Sequence, residues 1–412
     1  MKVAYVTQPY DGVLPPRQNS IGLIVYNTAM QVARSAEVTL YLRQVEGNVA
    51  AAGSPLRVQH TRSASDEFLE TLAARYPRWV RRLGLSARAD AYLGWASAVA
   101  SGLRRAPVDV VHVMNYWGWS QRLRGSKLVL EMQSEWLSQL DRRAVSEQLR
   151  EVAAVVAVSG HVERLFKAAF PDFRGEVAVA HNGVDTDLFC PPASPRAQDE
   201  GSPRIVFVGR MSPEKGLHTL IPAFARLAAQ FPGATLELVG PRTVLPRRFL
   251  VDLSDDPLVS ALTRFYRDDG SSDYQQHLDG LVRDHGLGDR VRFHGSLPHA
   301  DIVRHYQQAD LVVNPSLSET FGISIVEGMA CGVPVVGTLV GGMLDTITDD
   351  VGLAVPAEDA EALAAAMGDI LRNRERANAL GRRGRERAVK HFTWSARAER
   401  LLDVYRRVSQ KP

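Results

Sequence analysis

Two glutamates frame a short stretch, Glu319-Thr-Phe-Gly-Ile-Ser-Ile-Val-Glu327, in which seven residues separate the two carboxylates. A strand-like run, 310–314, precedes this stretch, and a helical pattern, 323–330, begins inside it. A turn that leaves the carboxyl end of a strand and opens a helix presents free backbone N–H groups, which favour an anionic phosphate. Glu327 would lie roughly 6 Å along that helix. Carboxylates on both sides of a phosphate site predict a nucleotide-sugar site, and two unrelated glutamates are the alternative.

A second segment, Gly209-Arg-Met-Ser-Pro-Glu-Lys-Gly216, follows another strand-like run. Ser212 is a favoured N-cap residue and a proline follows it, which predicts a helix over 214–230. Lys215 would then lie in the first helical turn, where the helix dipole disfavours a cation unless an anion binds nearby. Arg210 would reach the same anion with its planar guanidinium group. Two solvated basic residues are the alternative interpretation.

The usual nucleotide fingerprints are missing from the sequence. No Gly-x-Gly-x-x-Gly string follows a strand-like run, and there is no Gly-x4-Gly-Lys-[Ser/Thr] string. An NAD-dependent oxidoreductase is therefore the weakest of three functional hypotheses. The other two are a sugar-transferring enzyme and a non-catalytic protein that binds sugars or nucleotides.

Length and composition are typical of a globular protein with two domains. The chain has 412 residues, of which 45% are hydrophobic and 23% charged, so substantial cores are expected. Two cysteines, Cys190 and Cys331, are too few for a disulfide framework or a metal-ligand cluster. No apolar run reaches the ~18 residues of a membrane span. The chain begins directly with a strand-like run, so we expect a cytoplasmic protein.

Charge gives little indication of a macromolecular partner. The net charge of +3 is too small to indicate nucleic acid. Residues 75–82 mix arginines with aromatic residues. This mixture predicts a solvated helix face, with a patch for an anionic acceptor or a weak contact with the inner face of a membrane as the alternatives. The arginine-rich run 372–390 is predicted to form two exposed helices without an assigned function.

Strand-like runs alternate with helical patterns, which predicts α/β domains with parallel sheets covered by helices on both faces. In the first half the strand-like runs are 2–7, 37–42, 109–114, 127–132, 153–158 and 176–180, with a long helical pattern at 65–103. In the second half they are 204–208, 234–239, 291–294, 311–314, 334–337 and 351–355, with further helical patterns at 274–286, 299–309 and 358–372. The breaker-rich residues 189–203 predict a linker, and the charged segment 242–273 is interpreted as an insertion.

These features together resemble the retaining glycosyltransferases of family 4, which have the GT-B fold of two facing Rossmann-like domains. The resemblance covers nearly the whole chain and is strongest from Ala178 onward. It rests on Gly209-Arg210, Lys215-Gly216, the stretch Glu319 to Glu327, Gly332-Val-Pro-Val335, Gly341-Gly342, His181-Asn-Gly-Val-Asp185 and Phe392-Thr-Trp394. It implies an acceptor-binding domain at 1–188, a donor-binding domain at 204–393, and a C-terminal helix within 394–412 that crosses back to the first domain.

The resemblance also implies a role for each candidate donor-site residue. Arg210 and Lys215 would neutralise the donor diphosphate, and Glu319 would hold hydroxyls of the transferred sugar, so these three are the candidate catalytic residues. The candidate donor-binding residues are Glu327 at the ribose, Phe321, Gly322 and Ile323 with their backbone N–H groups, and Arg292 and His294 beside the base.

The amino-terminal half departs from the family pattern at two places. Relatives usually have a Gly-Gly pair where this chain has Asn19-Ser20, and often an active-site histidine where it has Gln133. A glutamine side chain donates and accepts hydrogen bonds but does not titrate. The candidate acceptor or inter-domain residues are Asn19, Ser20, Gly22, Gln133 and Asn182.

No metal or other cofactor is predicted. The string Asp185-Thr-Asp187 spells the Asp-x-Asp metal motif of the other large glycosyltransferase fold, but it follows a turn sequence, and we predict that both aspartates cap backbone groups. Arg210, Lys215 and a helix N-terminus would stabilise the leaving diphosphate instead.

The resemblance implies that the reaction retains the anomeric configuration. We favour same-face attack, with double displacement left open. The donor is predicted to be a UDP-sugar, with GDP-mannose as the alternative. The acceptor would be a small molecule, a glycan or a lipid-linked compound, and the sequence predicts no oligomeric state.

Overall fold

The computed structural model describes residues 1–16, 18–43, 53–76, 92–193 and 201–410. They form two compact units. The first unit contains Met1–Gly183 and Trp394–Pro412, and the second contains Val184–Thr393. Part of the predicted linker lies outside the described residues, so the boundaries drawn from it stay predictions.

The first unit is built on a seven-stranded parallel sheet with the order β3-β2-β1-β4-β5-β6-β7. The strands are β1 (Lys2–Val6), β2 (Glu37–Leu42), β3 (Arg57–His60), β4 (Val110–Met114), β5 (Lys127–Met132), β6 (Val152–Ala157) and β7 (Glu176–Val179). The edge strand β3 was not predicted, because its largely exposed side chains carry no hydrophobic pattern.

Helices cover both faces of this sheet. They are α1 (Ser20–Val32), α2 (Ala64–Arg75), α3 (Leu93–Arg105), α4 (Trp136–Gln139), α5 (Arg142–Leu149) and α6 (Gly160–Ala169). Side chains alternate along β1, so Val3 and Tyr5 enter one core, whereas Ala4 and Val6 enter another that contains Trp95. The long helical pattern at 65–103 is represented by α2 and α3, and residues 77–91 between them lie outside the described residues.

The second unit has a six-stranded parallel sheet with the order β10-β9-β8-β11-β12-β13. Its strands are β8 (Arg204–Val208), β9 (Thr235–Val239), β10 (Val291–Gly295), β11 (Leu311–Asn314), β12 (Val335–Thr338) and β13 (Gly352–Val355). Its helices are α7 (Leu217–Gln230), α8 (Arg247–Leu250), α9 (Pro257–Ser260), α10 (Tyr274–Asp284), α11 (His299–Gln308), α12 (Ile323–Ala330), α13 (Met343–Thr346), α14 (Ala360–Arg372) and α15 (Arg374–His391). Two Rossmann-like parallel sheets confirm the predicted fold class.

The C-terminal helix α16 (Trp394–Gln410) belongs to the first unit, although the chain reaches it from the second. Its apolar face, which includes Leu401 and Tyr405, enters the same core as Val25 of α1. The helix therefore completes one face of the first sheet, which confirms the predicted crossing of the C-terminal helix.

The arginine-rich run 372–390 does not form two exposed helices. Most of it lies in the single long helix α15, which buries Leu380, Gly384 and Ala388. Arg385 turns inward and donates to the backbone carbonyls of Phe189 and Ala330, each at 2.8 Å. The prediction was wrong because small buried residues between arginines carry almost no hydrophobic signal.

The charged segment 242–273 contains α8, α9 and a 3-10 helix at Ala261–Phe265. Val251, Val259 and Leu262 form a small core of their own with Leu317. The segment is thus folded onto the second unit near the loop after β11.

Among the described residues, no helix is both long enough and apolar enough to cross a bilayer. The basic aromatic segment 75–82 lies outside the described residues except for its first two positions. Its contact with a membrane surface stays a prediction.

Candidate functional site

Two loops follow neighbouring strands at the point where the order of the second sheet reverses. β8 and β11 lie side by side, and the later strands extend outward from them in opposite directions. In open parallel sheets, ligands bind outside the carboxyl ends of the two strands at such a point. Residues 209–216 follow β8 and residues 315–322 follow β11, so the two predicted segments line one crevice.

The loop after β8 differs from its prediction. Pro213–Lys215 form a 3-10 turn, Gly216 has a left-handed backbone with φ of 69°, and α7 begins only after it. Ser212 does not cap a helix, and its Oγ accepts a hydrogen bond from the backbone N–H of Leu245 at 3.1 Å. The lysine therefore lies before the helix rather than in its first turn, and the predicted capping is wrong.

Gly216 brings this turn against the loop that follows β11. A Cβ atom at Gly216 would lie 2.0 Å from the carbonyl oxygen of Pro315, and the positive φ also favours glycine. The backbone N–H of Leu317 donates to the carbonyl oxygen of Glu214 at 2.7 Å. These contacts hold Lys215 beside the loop after β11, so its ammonium group reaches across the crevice.

Lys215 and Glu319 form an ion pair between the two loops. Lys215 Nζ lies 2.8 Å from Glu319 Oε2, and the side chains are 22% and 14% exposed. Burial by itself would lower the pKa of Lys215, but the charges of Glu319 and Glu214 outweigh burial and raise that pKa. Burial would raise the pKa of Glu319, but Lys215 holds that pKa below its usual value. Both groups are therefore charged at neutral pH.

Neighbouring groups orient the Glu319 carboxylate. Asn314 Nδ2 donates to Glu319 Oε2 at 3.4 Å, and the backbone N–H of Phe321 donates to the same carboxylate. Asn314 is buried and also bonds to Ser316 and Ser324. Sequence reasoning missed Asn314, although a polar residue at the end of a buried strand was an available signal. The N–H of Phe321, predicted to face a ligand, is engaged by Glu319.

Four charged side chains come together here: Arg210, Lys215, Glu214 and Glu319. Arg210 is exposed, whereas Glu214 is buried. The formal charges cancel. The site therefore has no overall positive charge to attract an anion. An anion would bind through hydrogen bonds from the two cationic side chains and from backbone N–H groups that point toward it.

The helix α12 begins directly after Gly322, which has φ of 85°. The first N–H groups of a helix have no intrahelical partner, and such a group of donors binds anions. The preceding turn packs closely on Gly342, whose N–H donates to the carbonyl of Glu319 at 2.8 Å. A Cβ at Gly342 would lie 2.0 Å from the carbonyl oxygen of Thr320. This close approach fixes the start of α12, where Ile323 lies.

Glu327 lies in α12 and is 4% exposed. His299 Nε2 lies 2.7 Å from its Oε1, and the Tyr306 hydroxyl donates to its Oε2 at 2.8 Å. Burial would lower the pKa of His299, but the hydrogen bond and charge of Glu327 outweigh burial and raise that pKa. The sequence did not predict these partners, although their seven-residue spacing in α11 places them on one helix face.

Arg292 and His294 lie on β10, at the edge of the sheet, with β9 and β8 between β10 and β11. Arg292 is exposed. His294 faces Glu237, at 3.6 Å between Nε2 and Oε2. Burial is the main cause that lowers the pKa of His294. Among the described residues, neither side chain forms an ion pair with Glu319 or Glu327, which are assigned to the donor. The predicted position of Arg292 and His294 beside the base therefore stays a prediction.

Asn19 and Gly22 lie at the start of α1 in the first unit. The Oδ1 of Asn19 caps α1 by accepting from the N–H of Gly22 at 2.7 Å, and its Nδ2 donates to Asp11 at 2.9 Å. Ser20 is the first residue of the helix and is exposed. Asn19 therefore has a local structural role in addition to any contact with an acceptor.

Gln133 and Asn182 form a reciprocal amide pair in the first unit. Gln133 Nε2 donates to Asn182 Oδ1 at 3.1 Å, and Asn182 Nδ2 donates to Gln133 Oε1 at 2.8 Å. Gln133 Nε2 also donates to Glu131 Oε1. The structure thus brings together two predicted residues that are far apart in the sequence, and it shows that their amides satisfy each other.

The Asp185-Thr-Asp187 string forms a turn. Asp185 Oδ1 accepts from the backbone N–H groups of Asp187 and Leu188, each at 3.0 Å. The prediction that Asp185 caps backbone groups is confirmed.

Sequence comparisons identify the family. Residues 24–188 match the model described as Glycosyltransferase Family 4, and residues 194–387 match the model described as Glycosyl transferases group 1. D-inositol 3-phosphate glycosyltransferase 1 of Catenulispora acidiphila is 31% identical over 337 residues, which cover 74% of each protein. The chain belongs to this glycosyltransferase family. The chain spans about half the length of several other curated relatives. For example, it is 34% identical to the D-inositol 3-phosphate glycosyltransferase of Salinispora tropica over 56% of this chain and 45% of that relative.

Solved structures of similar fold agree with this assignment. Sucrose-phosphate synthase of Thermosynechococcus elongatus superposes with a TM-score of 0.71 at 24% identity, with 99% of both chains covered. The HepE protein of Anabaena, crystallised with UDP-glucose, gives a TM-score of 0.67 at 18% identity and covers 99% of this chain and 100% of its own. At these identities the likeness shows a GT-B fold.

Proposed function

We propose that this chain is a retaining glycosyltransferase that moves a hexosyl unit from a nucleoside diphosphate sugar to a hydroxyl acceptor. The observation that carries the proposal is the Lys215–Glu319 pair, which lies between the loops after β8 and β11, beside the start of α12. One crevice thus supplies a cation and helix N–H groups for a diphosphate, together with a carboxylate for sugar hydroxyls.

In this proposal the bound donor separates the ion pair, because its diphosphate contacts Lys215 and its sugar contacts Glu319. The diphosphate accepts hydrogen bonds from Lys215, Arg210 and the N–H groups of Gly322 and Ile323. Glu319 then accepts hydrogen bonds from hydroxyls of the transferred sugar. The pairing keeps both groups ionised and oriented before the donor binds. Each fixed donor aimed at the departing diphosphate is worth about 3 kcal/mol of transition-state stabilisation.

The ribose is assigned to Glu327. Each of its carboxylate oxygens is engaged by one donor, from His299 or from Tyr306. A carboxylate has about four lone-pair positions, so two remain for ribose hydroxyls. Arg292, exposed on β10, is assigned to the base.

The reaction breaks the bond between the anomeric carbon and a diphosphate oxygen, and the bonding electrons leave with the diphosphate. The acceptor hydroxyl oxygen forms the new bond on the same face of the sugar, and its proton passes to the departing oxygen. Glu319 is assigned to sugar hydroxyls, and we assign no carboxylate to the opposite face. Double displacement is the competing mechanism. The stabilising charges are side chains and a helix end, so the proposal needs no metal at the diphosphate.

We favour a UDP-sugar donor, because the Anabaena neighbour was crystallised with UDP-glucose. Several curated relatives are named D-inositol 3-phosphate glycosyltransferases, which makes a small phosphorylated polyol the first acceptor to test before glycans and lipid-linked compounds.

A thermal-shift panel of UDP, GDP and ADP, followed by turnover with the corresponding sugars, tests the proposal. The preferred nucleotide at a hundredfold excess over its Kd should add about 2.7 kcal/mol to the free energy of unfolding. NMR of the product should show the anomeric configuration of the donor. Binding without transfer to any acceptor would favour a non-catalytic protein, for which the mutually satisfied Gln133–Asn182 amides are an argument. Preferential binding of NADH would favour an oxidoreductase.

A further inference from the structure

Glu237, His294 and His305 come from three different elements, β9, β10 and α11, and their side chains converge. One ligand atom of each residue lies within 4.8 Å of those of the other two. Glu237 Oε2 is 2.6 Å from His305 Nδ1 and 3.6 Å from His294 Nε2. The two imidazole rings meet edge to face, with their centroids 4.6 Å apart.

This cluster is not fully satisfied by its own contacts. The side chain of Glu237 is 5% exposed, and those of His305 and His294 are 18% and 29% exposed. The Nε2 atom of His294 is buried and has no hydrogen-bond partner among the described residues. A buried nitrogen without a partner is unfavourable, whereas a ligand that bonds to all three residues would satisfy it.

We propose that Glu237, His294 and His305 bind a divalent transition metal, for which Zn²⁺ fits the donor set best. Two imidazoles and one carboxylate are a common set of three protein ligands for zinc, with a fourth position left for water. Ligand atoms around a tetrahedral zinc ion at ~2.1 Å are roughly 3.4 Å from one another. Side-chain movements of about 1 Å would bring these three atoms to that spacing. The metal would take the place of the proton between His305 and Glu237.

The surrounding charges define the site further. Arg204 Nε lies 3.6 Å from Glu237 Oε1, whereas both histidines contact Oε2. A partner of this kind orients a carboxylate that binds a metal. However, the positive charges of Arg204 and of Arg292 near His294 repel a metal cation. We therefore expect the site to favour ions that bind imidazole strongly, such as Zn²⁺, over Mg²⁺ or Ca²⁺. His294 would then serve the metal and leave the base to Arg292.

Titration of the metal-free full chain with ZnCl₂ by calorimetry tests the proposal. Wild type should bind one equivalent and show a raised melting temperature. His294→Gln and His305→Gln should each weaken binding by more than about a hundredfold, since the loss of an outer partner alone costs 10–100-fold. The matched control is His285→Gln, which replaces an exposed histidine at the end of α10 and should bind like wild type.

Co²⁺ gives a second measurement that does not depend on stability. Its visible absorption should have the intensity of a four-coordinate site in wild type and in the control, and both cluster variants should lose it. The melting temperature of each variant without metal shows that it is folded. The proposal is overturned if wild type binds no equivalent of Zn²⁺, or if both folded cluster variants bind like the control. A stronger response to Mg²⁺ than to Zn²⁺ would also overturn it.

Discussion

The two units have the same strand order, but they hold their charged pairs in different surroundings. In the second unit, the Lys215–Glu319 pair lies in loops beyond the strand ends and stays 22% and 14% exposed. In the first unit, Glu131 of β5 pairs with Arg397 of α16, and their side chains are 0% and 1% exposed. The neutral amide of Gln133 donates to Glu131 Oε1 and pairs with the amide of Asn182.

The difference shows what makes a charged pair available for function. Glu131 also has His112 Nε2 at 3.1 Å, and Arg397 also donates to the carbonyl of Ala180 at 2.6 Å. A ligand cannot replace partners that come from the protein's own core. The Lys215–Glu319 pair joins two loops that solvent reaches, so a donor can replace either partner. We interpret the first network as structural and the second as a binding site.

Removal of Arg397 should have the largest effect. Arg397→Met leaves the Glu131 carboxylate buried without its partner, so the free energy of unfolding should fall by about 3–5 kcal/mol in urea titrations. Glu131→Gln combined with Arg397→Met should be less destabilising than Arg397→Met alone, since it leaves no buried charge. If the stability losses of the two single substitutions simply added up in the double variant, a structural pair would be contradicted.

The same pair predicts a pH dependence. Burial would raise the pKa of Glu131, but Arg397 and His112 hold it at about 2. When folding lowers the pKa of a carboxyl group, that group stabilises the fold at pH values above its unfolded-state pKa. This stabilisation is lost as the pH falls through the folded-state pKa. The stability difference between wild type and Arg397→Met should therefore shrink between about pH 4.5 and pH 2.

Lys215→Ala should reduce kcat/KM about 10²–10³-fold, as expected for one donor aimed at developing negative charge. The substitution should also weaken the binding of nucleoside diphosphates. The melting temperature of the variant should stay close to that of wild type, which shows that the fold is intact. The matched control is Lys167→Ala, which removes a lysine whose side chain is 57% exposed in the first unit. Turnover and binding like wild type would mean that Lys215 serves only to pair with Glu319.

Glu319→Gln should lower kcat roughly tenfold or more and change the discrimination between donor sugars, because its contacts strengthen as the sugar ring flattens. The affinity for free nucleoside diphosphate should stay nearly unchanged. Single-turnover rates and nucleotide binding constants measure the two effects separately.

Glu327→Gln should show the complementary result. It should weaken the binding of every nucleoside diphosphate about tenfold, because it weakens contacts to the ribose, with a smaller effect on kcat. If instead Glu319 controls nucleotide affinity and Glu327 controls turnover, the donor lies along the crevice in the reverse direction.

The His299–Glu327 pair should give a smaller, pH-dependent effect. The pKa of His299 is raised from 6.5, so its contribution to stability is fully present below about pH 6.5 and is lost as pH rises through the raised value. Because the His299 side chain is 37% exposed, the contribution should stay within about 1 kcal/mol. His299→Gln should remove this pH dependence in unfolding titrations, and an unchanged pH profile would exclude the pair as its source.

A chelator should have the smallest effect on turnover. EDTA should leave the rate at 25 °C nearly unchanged, because the charges at the diphosphate are supplied by Arg210, Lys215 and α12. It should lower the melting temperature if zinc occupies the Glu237 cluster. Loss of turnover that Mn²⁺ or Mg²⁺ restores would refute the metal-free reaction, and would make Asp185 and Asp187 candidate ligands again.

Some elements were predictable from the sequence because their signals are local. The start and end of α12 follow from a glycine turn and an apolar run, and the strand β11 follows from the apolar run Leu311-Val-Val313. The start of α7 was misplaced, because a serine and a proline are favourable both for a helix cap and for a 3-10 turn. The burial of α15 was missed, because glycine and alanine give no hydrophobic pattern.

Residue patterns alone predicted that the chain forms parallel sheets, that candidate residues follow β8 and β11, and that glutamate and lysine lie in those loops. These features depend on the spacing of residues close together in the chain. The pairing of side chains depended on the folded chain: Lys215 contacts Glu319 from 104 positions away, and Arg397 contacts Glu131 from 266 positions away. Such partners depend on strand order and on helix packing, because the periodicity of a sequence fixes which face a residue takes but not which distant residue faces it.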